Sequence, residues 1–363
     1  MNVLLSDPAV PAPGLFSPFT INGLSLGNRT VLSPMCQYSA VDGLPTAWHH
    51  AHYGARLLGG VGLLMLESTA ISAAGRITHG CLGLWTDAQA AALGTLVQTA
   101  HDLAVPIGVQ INHAGRKGSV HVPWHGGKGL PPEGAWPTLA PSAIEQAPGF
   151  PMPREITESE IAGVIGDFAA AAQRAVRAGF DVVEVHVAHG YLLHQFISPL
   201  SNHRTDGYGG SFDGRVRIVL ETLEAVRAVL PPGFPLFVRL SCSDGAPGGW
   251  EIDDSVRLAQ AMRARGVDLI DCTSGGIAAP LPRPAGLAFN AGAAARVRSE
   301  AGLATGSVGG ITDARQADAL IASGQADLVF LGRALLGDPF WPLRARSALG
   351  AGLPPVQYQR TTF

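Results

Sequence analysis

The segment HVAHGYLLHQF, residues 186–196, places three histidines and a tyrosine within eleven residues. Imidazoles and phenols donate hydrogen bonds to a substrate oxygen and move protons near neutral pH. His186, His189 and Tyr191 are therefore candidates for two hydrogen-bond donors and one proton donor. Histidines three apart can also bind a metal. A second histidine cluster, HHAH at 49–52, raises the same question. Gln110 and Arg239 interrupt otherwise apolar runs, PIGVQIN and PLFVRLS. A polar side chain buried without a partner is costly, so both call for a polar ligand or an internal ion pair.

These residues need a scaffold, and the apolar runs supply one. Strands are expected at 29–33, 61–67, 106–112, 181–186, 235–241, 268–273, 302–306 and 327–332. All are apolar or nearly so, as in parallel strands covered on both faces. Helical spacing fills the intervals at 87–103, 158–179, 213–230, 253–265, 291–301, 312–323 and 338–349. Thr157 and Glu160 form a capping box at the start of the second of these. Eight such units in series predict a single α/β domain over 1–363, a (β/α)8 TIM barrel. A doubly wound sheet fits less well, because no GxGxxG follows the first strand. LFSPFTINGLSLGN at 15–28 reads as an N-terminal β-hairpin closing the barrel bottom. Residues 113–156 break the alternation. They form a long loop after strand three, rich in Gly, Pro, Trp and His, and would sit on the catalytic face.

Chemistry in a barrel gathers at the C-terminal ends of the strands. Those ends carry Cys36 and Tyr38 after strand one, Glu67-Ser68 at strand two, Gln110 and His113 at strand three, and His186, His189 and Tyr191 at strand four. Arg239 lies on strand five. Gly309-Gly310 follows strand seven and Gly332-Arg333 follows strand eight, the places where barrels bind phosphate through backbone N–H groups. Arg333 adds a charge-assisted fork. A metal is disfavoured for three reasons. HHAH opens a helix instead of ending a strand, strand eight ends in arginine instead of a carboxylate, and Arg239 and Arg333 would repel a cation. A metal-dependent barrel hydrolase remains the competing enzyme reading.

The 363 residues are 47% hydrophobic and 15% charged with a net charge of −3, which speaks against nucleic-acid or anionic-membrane partners. The cysteines Cys36, Cys81, Cys242 and Cys272 form no CxxC pair, so neither a zinc ribbon nor a disulfide framework is indicated. The N-terminus lacks the basic region of a signal peptide, and the longest apolar runs are too short to span a bilayer. A cytoplasmic, soluble enzyme is the expectation.

Taken together, the motifs resemble the old yellow enzyme family of FMN-dependent ene-reductases over nearly the whole chain. They are LFSPFTINGLSLGNRTVLSPMCQYSA, VGLLMLESTA, GVQINHAGRK, EVHVAHGYLLHQFISPLSNHRTDGYGGS and ADLVFLGRALLGDPFWP. Cys36 with Tyr38, and the terminal QYQR, resemble the thermophilic-like subclass; the long 118–150 loop departs from its shorter members. The resemblance implies FMN with its phosphate on Gly309, Gly310, Gly332 and Arg333. It implies ring contacts from the backbone at Pro34, Met35 and Ser68, and Gln110 and Arg239 at the pyrimidine edge. Cys36 would tune the flavin potential. NADPH, or NADH, would reduce the flavin in a ping-pong cycle, and flavin N5 would pass hydride to the β-carbon of a small activated alkene conjugated to a carbonyl or nitro group. His186 and His189 would bind the alkene's oxygen, Tyr191 would protonate the α-carbon, and Tyr38 would help hold the substrate. Arg360 in the 350–363 tail would reach a neighbouring subunit's site, which implies a homodimer or an assembly of dimers. His194 reads as structural, and Arg116 and Lys117 read as meeting cofactor phosphates or lying in a solvated loop. A non-catalytic FMN- or phenol-binding module has no use for a placed proton donor such as Tyr191.

Overall fold

The computed structural model describes residues 12–278 and 286–363. The strands are β1 (Phe19–Ile21), β2 (Leu24–Leu26), β3 (Thr30–Leu32), β4 (Leu63–Ala70), β5 (Ile107–Asn112), β6 (Leu139–Ala140), β7 (Arg154–Glu155), β8 (Val182–Val187), β9 (Leu236–Ser241), β10 (Leu269–Thr273), β11 (Ala304–Val308) and β12 (Leu328–Leu331). Eight of them close a parallel barrel in the order β3-β4-β5-β8-β9-β10-β11-β12, with β12 pairing back to β3. All eight expected strands are present. The seventh runs two residues further than its apolar run suggested, because Ser307 and Val308 still pair with β12. The second runs to Ala70 past a register shift between Leu66 and Ser68, so Glu67 sits at a bulge within the strand and not at its end. Bulges re-aim side chains next to sites.

The expected helices form within three residues of their predicted ends, for example Glu158–Ala178 and Ala291–Ala301. Thr157 Oγ1 accepts from the Glu160 N–H at 3.3 Å, and the Glu160 carboxylate accepts from the Thr157 N–H at 2.9 Å. Gly179 ends that helix at φ 91°, a left-handed cap that glycine adopts freely. HHAH does lie in the first turns of a helix, Ala47–Leu58. Among the described residues no helix is long and apolar enough to cross a membrane.

The barrel interior is stratified along its axis. β1 and β2 form the expected hairpin, with Asn22 and Gly23 both at positive φ, as a two-residue turn of type I′ requires. Its Ile21 and Leu26 pack with Val31, Leu63, Met65, Val182, Phe237, Leu269 and Leu328 in one apolar cluster that fills the N-terminal end. Side chains alternate across a strand, so the next inward positions are Gln110, Glu184, Arg239 and Asp271. The positions after those, at the mouth, include His186, Ser241 and Thr273. A separate apolar shell of the outward strand positions and the helices, with Phe168, Phe196 and Trp250 fully buried, carries the rest of the core.

The long segment is ordered by short elements of its own. β6 and β7 pair in parallel, and single 3-10 turns form at Gly115–Lys117 and Pro123–His125.

Candidate active site

The loops at the C-terminal mouth enclose a cleft of about 600 Å³. Of the residues singled out from sequence, Pro34, Met35, His189, Arg239, Gly309, Gly310, Gly332 and Arg333 line it. Tyr38 and Tyr191 line an adjoining pocket of about 290 Å³, beside Lys117. His186 bridges the two: its ring centroid lies 5.2 Å from that of His189 and 4.9 Å from that of Tyr191, both nearly perpendicular. Gln110 and Ser68 are buried and paired across β4 and β5. Cys36 packs in a small cluster with Cys81, Tyr38 and Tyr191. Arg360 alone stands apart, exposed on the tail. That tail is pinned, with Tyr358 and Phe363 packing their rings on Phe340 at 5.7 and 6.2 Å.

The histidines are held neutral and oriented. Burial, followed by the charge of Arg239, pushes both well below the usual histidine range; Lys117 adds to this. His186 Nδ1 accepts from the Ala188 N–H at 3.1 Å, so its proton sits on Nε2, an available donor. His189 donates its backbone N–H to Ser241 Oγ, and its Nε2 lies 3.0 Å from Thr273 Oγ1. Burial raises the Tyr191 hydroxyl well above the ordinary tyrosine range, with Cys36 nearby adding to the effect. Tyr191 thus keeps its proton, the state a donor requires. Burial also pushes the Cys36 thiol up. Tyr38 and His189 both adopt left-handed backbone, φ 49° and 57°. The long segment roofs the pocket: Trp124 sits edge-on to Tyr38 at 6.0 Å.

Gly309 and Gly310 have φ of 112° and 67°. A Cβ at Gly309 would meet the Phe289 ring at 2.4 Å, and one at Gly310 would meet the Gly286 carbonyl at 2.5 Å. Their N–H groups make no backbone hydrogen bond among the described residues. With Arg333 on the same wall, this is a close-approach cradle suited to a phosphate. At the following helix, Ala314–Ala322, Asp313 caps the N-terminus through the Gln316 N–H. At the other end, Arg239 Nη1 donates to Ser33 Oγ at 3.1 Å. The cleft thus offers cationic and N–H donor groups at both ends between apolar walls, which fits FMN.

Arg116 and Lys117 do not lie in a solvated loop: both are held inside by protein acceptors. Arg116 donates to Gln146 Oε1 at 3.1 Å and to the Ile277 carbonyl at 2.8 Å. Lys117 Nζ donates to the carbonyls of His189 and Gly276 at 2.7 and 2.6 Å. Burial, followed by Arg116, holds its ammonium down at about 8. His194 accepts the Gly190 N–H on Nδ1 and lies 2.8 Å from Asp244 through Nε2, buried and away from the cleft. Two residues were missed, Glu184 and Asp271. Gln110 Nε2 donates to Glu184 Oε1 at 2.8 Å, and Arg239 Nε lies 3.1 Å from Asp271 Oδ2 without the alignment of a hydrogen bond. The signal was present, since each interrupts an apolar strand just as Gln110 and Arg239 do.

Residues 14–351 match the NADH:flavin oxidoreductase / NADH oxidase family. The NADPH dehydrogenase of Geobacillus thermodenitrificans (strain NG80-2) is 44% identical over 349 residues, covering 95% of this chain and 98% of that protein. Among solved structures, morphinone reductase superposes with a TM-score of 0.80 at 30% identity, covering 96% of this chain and 92% of that one. The old yellow enzyme homologue from Zymomonas mobilis gives 0.77 at 26% identity, with 97% of each chain covered.

Proposed function

Because the chain belongs to the NADH:flavin oxidoreductase / NADH oxidase family, as an old yellow enzyme-type, FMN-dependent oxidoreductase akin to NADPH dehydrogenases, we propose that it is an ene-reductase for small alkenes conjugated to a carbonyl or nitro group. The observation that carries this reading is the cluster of His186, His189 and Tyr191, with ring contacts of 5.2 and 4.9 Å and with His189 on the wall of the arginine- and glycine-lined cleft. FMN, when bound, would supply the redox chemistry, accepting hydride from NADPH and passing it to the β-carbon of the alkene.

The chain's own residues do the rest. Gly309, Gly310, Gly332 and Arg333 hold the phosphate; Pro34, Met35 and Ser68 flank the ring system. Gln110 and Arg239 take the pyrimidine edge, where a fixed cation stabilises the charge left by two-electron reduction. Cys36 tunes the potential from beside the ring. His186 and His189, both neutral N–H donors, bind the substrate oxygen and polarise the double bond. Tyr38 holds the substrate. Tyr191 gives its proton to the α-carbon from the face opposite the hydride, for net trans addition. Arg360 reaches the site of a neighbouring subunit in a homodimer.

The test is the visible spectrum of the purified protein under anaerobic addition of NADPH and then cyclohexenone. Flavin absorbance that bleaches with NADPH and returns with the enone is the expected result. Bleaching without recovery would overturn the alkene assignment.

A further inference from the structure

The middle layer of the barrel interior holds more acid than its partners neutralise. Glu184 and Asp271 are fully buried, and they share the layer with one cation, Arg239, and one neutral amide, Gln110. The groups that face them are Gln110 from β5, Arg239 from β9 and, one inward position further along β8, His186; the thiol of Cys272, next to Asp271 on β10, points outward into the apolar shell. His186 is held neutral. With both carboxylates ionised the layer would carry a net charge of −1, above the apolar plug of the hairpin. Glu184 Oε2, both Asp271 oxygens and Arg239 Nε have no hydrogen-bond partner among the described residues. Uncompensated buried charge is expensive, and a group in that position takes a proton instead.

We propose that Glu184 and Asp271 form a redox-linked proton site: the pair takes up a proton from solvent when the flavin is reduced and releases it when the flavin is reoxidised. The proposal rests on the reading that Gln110 and Arg239 meet the flavin's pyrimidine edge. Those two residues are also the hydrogen-bond and ion-pair partners of the two acids. Hydride transfer from NADPH moves two electrons and one proton to the flavin and leaves NADP+. The negative charge gained lies along the edge that Arg239 serves. Arg239 then has two anionic claims on it, the flavin above and Asp271 below, and the acid pair loses part of its compensation. A solvent proton forms one O–H bond on a carboxylate oxygen, and no other bond breaks. When hydride passes to the alkene the charge disappears and the proton returns to solvent. Burial, reinforced for Glu184 by Asp271 and opposed by Arg239, raises both acids above the usual carboxylate range, which brings such a proton within reach of neutral pH.

The same pair fixes what Gln110 offers. Glu184 Oε1 accepts from Gln110 Nε2, as an ionised carboxylate would. A protonated one can donate to Oε1, turning the amide over and exchanging an acceptor for a donor at the flavin edge.

The experiment uses the FMN-loaded protein in weak buffer with a pH-indicator dye, titrated anaerobically with NADPH across neutral pH. Hydride transfer alone consumes no solvent proton, so uptake is read against a baseline of zero, and the reduced-flavin spectrum reports any protonation of the flavin itself. The wild type is expected to take up a fraction of a proton per flavin, and Glu184→Gln to take up none. Asp271→Asn provides a second test, and redox difference infrared spectroscopy a third that needs no second folded variant. A carboxylic acid C=O band should appear on reduction of the wild type and be absent from Glu184→Gln. No uptake by the wild type, or equal uptake by Glu184→Gln, would overturn the proposal. Arg239→Lys separates the two levels. If it leaves the flavin midpoint potential unchanged, the placement of Arg239 at the flavin edge fails. If it moves the potential while Glu184→Gln leaves proton uptake intact, only the proton site fails.

Discussion

Replacing Lys117 with methionine sets two opposing terms against each other. The ammonium is held down from 10.5 to about 8, so keeping it charged at pH 7 costs about 3 kcal/mol. Against this stand its hydrogen bonds to the carbonyls of His189 and Gly276, about 1.5–3 kcal/mol each for bonds to a charged group. Methionine fills similar space and loses both terms. The variant should therefore fall at most about 3 kcal/mol below the wild type at pH 7. The pH dependence has a definite sign. A lysine whose folded pKa lies below its unfolded value binds fewer protons folded than unfolded, so wild-type stability should rise as pH climbs from about 8 to 10.5. Lys117→Met should lack that rise. Urea unfolding at a series of pH values measures both. The functional effect should be larger than the stability effect, because the tether holds a residue in left-handed backbone over the cleft. Flavin reduction by NADPH should survive, and reoxidation by an enone should slow. A loss above about 5 kcal/mol at pH 7, or identical pH profiles for the two proteins, would refute this balance of terms.

Tyr191→Phe should be reduced by NADPH as fast as the wild type but reoxidised by enones about 100-fold more slowly or worse; equal reoxidation rates in stopped flow would remove its role as proton donor. Gly309→Ala forces a Cβ against the Phe289 ring at a φ of 112°; FMN affinity, read by fluorescence titration of the apoprotein, should fall about 5- to 150-fold for a strain of about 1–3 kcal/mol, and unchanged affinity would move the phosphate elsewhere. Cys36→Ala should shift the flavin midpoint potential, and an unchanged potential would mean that Cys36 only packs. Removing residues 356–363 should raise KM for the alkene, and unaltered steady-state kinetics would exclude Arg360 from any neighbouring site.

The barrel was legible because its strands are buried on both faces. Continuous apolar runs such as those around Val109 and Val238 cannot be solvent-facing, and their spacing leaves room for one helix each. The hairpin was equally plain, since Asn22-Gly23 allows few other turns. Strand ends were less so: backbone pairing carried β4 past Glu67 and β11 past Gly306, and neither extension leaves a trace in hydropathy. At the site, residue type and strand position were enough to single out His186, His189, Tyr191 and Arg239. The fate of Arg116 and Lys117 was not readable, because what buries them comes from Ile144, Gln146, Gly276 and Ile277, distant in sequence. The interior acids were missed for a different reason. The criterion that flagged Gln110 and Arg239 applies to Glu184 and Asp271 with equal force, and an apolar strand holding one polar residue should prompt a search for the strand that holds its partner.

Tyr38 and His189 sit in left-handed backbone at φ 49° and 57°, a conformation that costs a residue with a Cβ about 1–2 kcal/mol. The protein therefore carries backbone strain at two of the positions it would use to grip a substrate. Selection for stability alone would favour glycine or asparagine there, and would erase the side chains. Anyone hardening this enzyme for use at higher temperature should leave both positions untouched. Gly163 and Gly166, within the helix Glu158–Ala178, offer a better route. An added methyl group at either meets nothing within 4 Å, and each exchange to alanine gains about 0.5–1 kcal/mol at a distance from the chemistry.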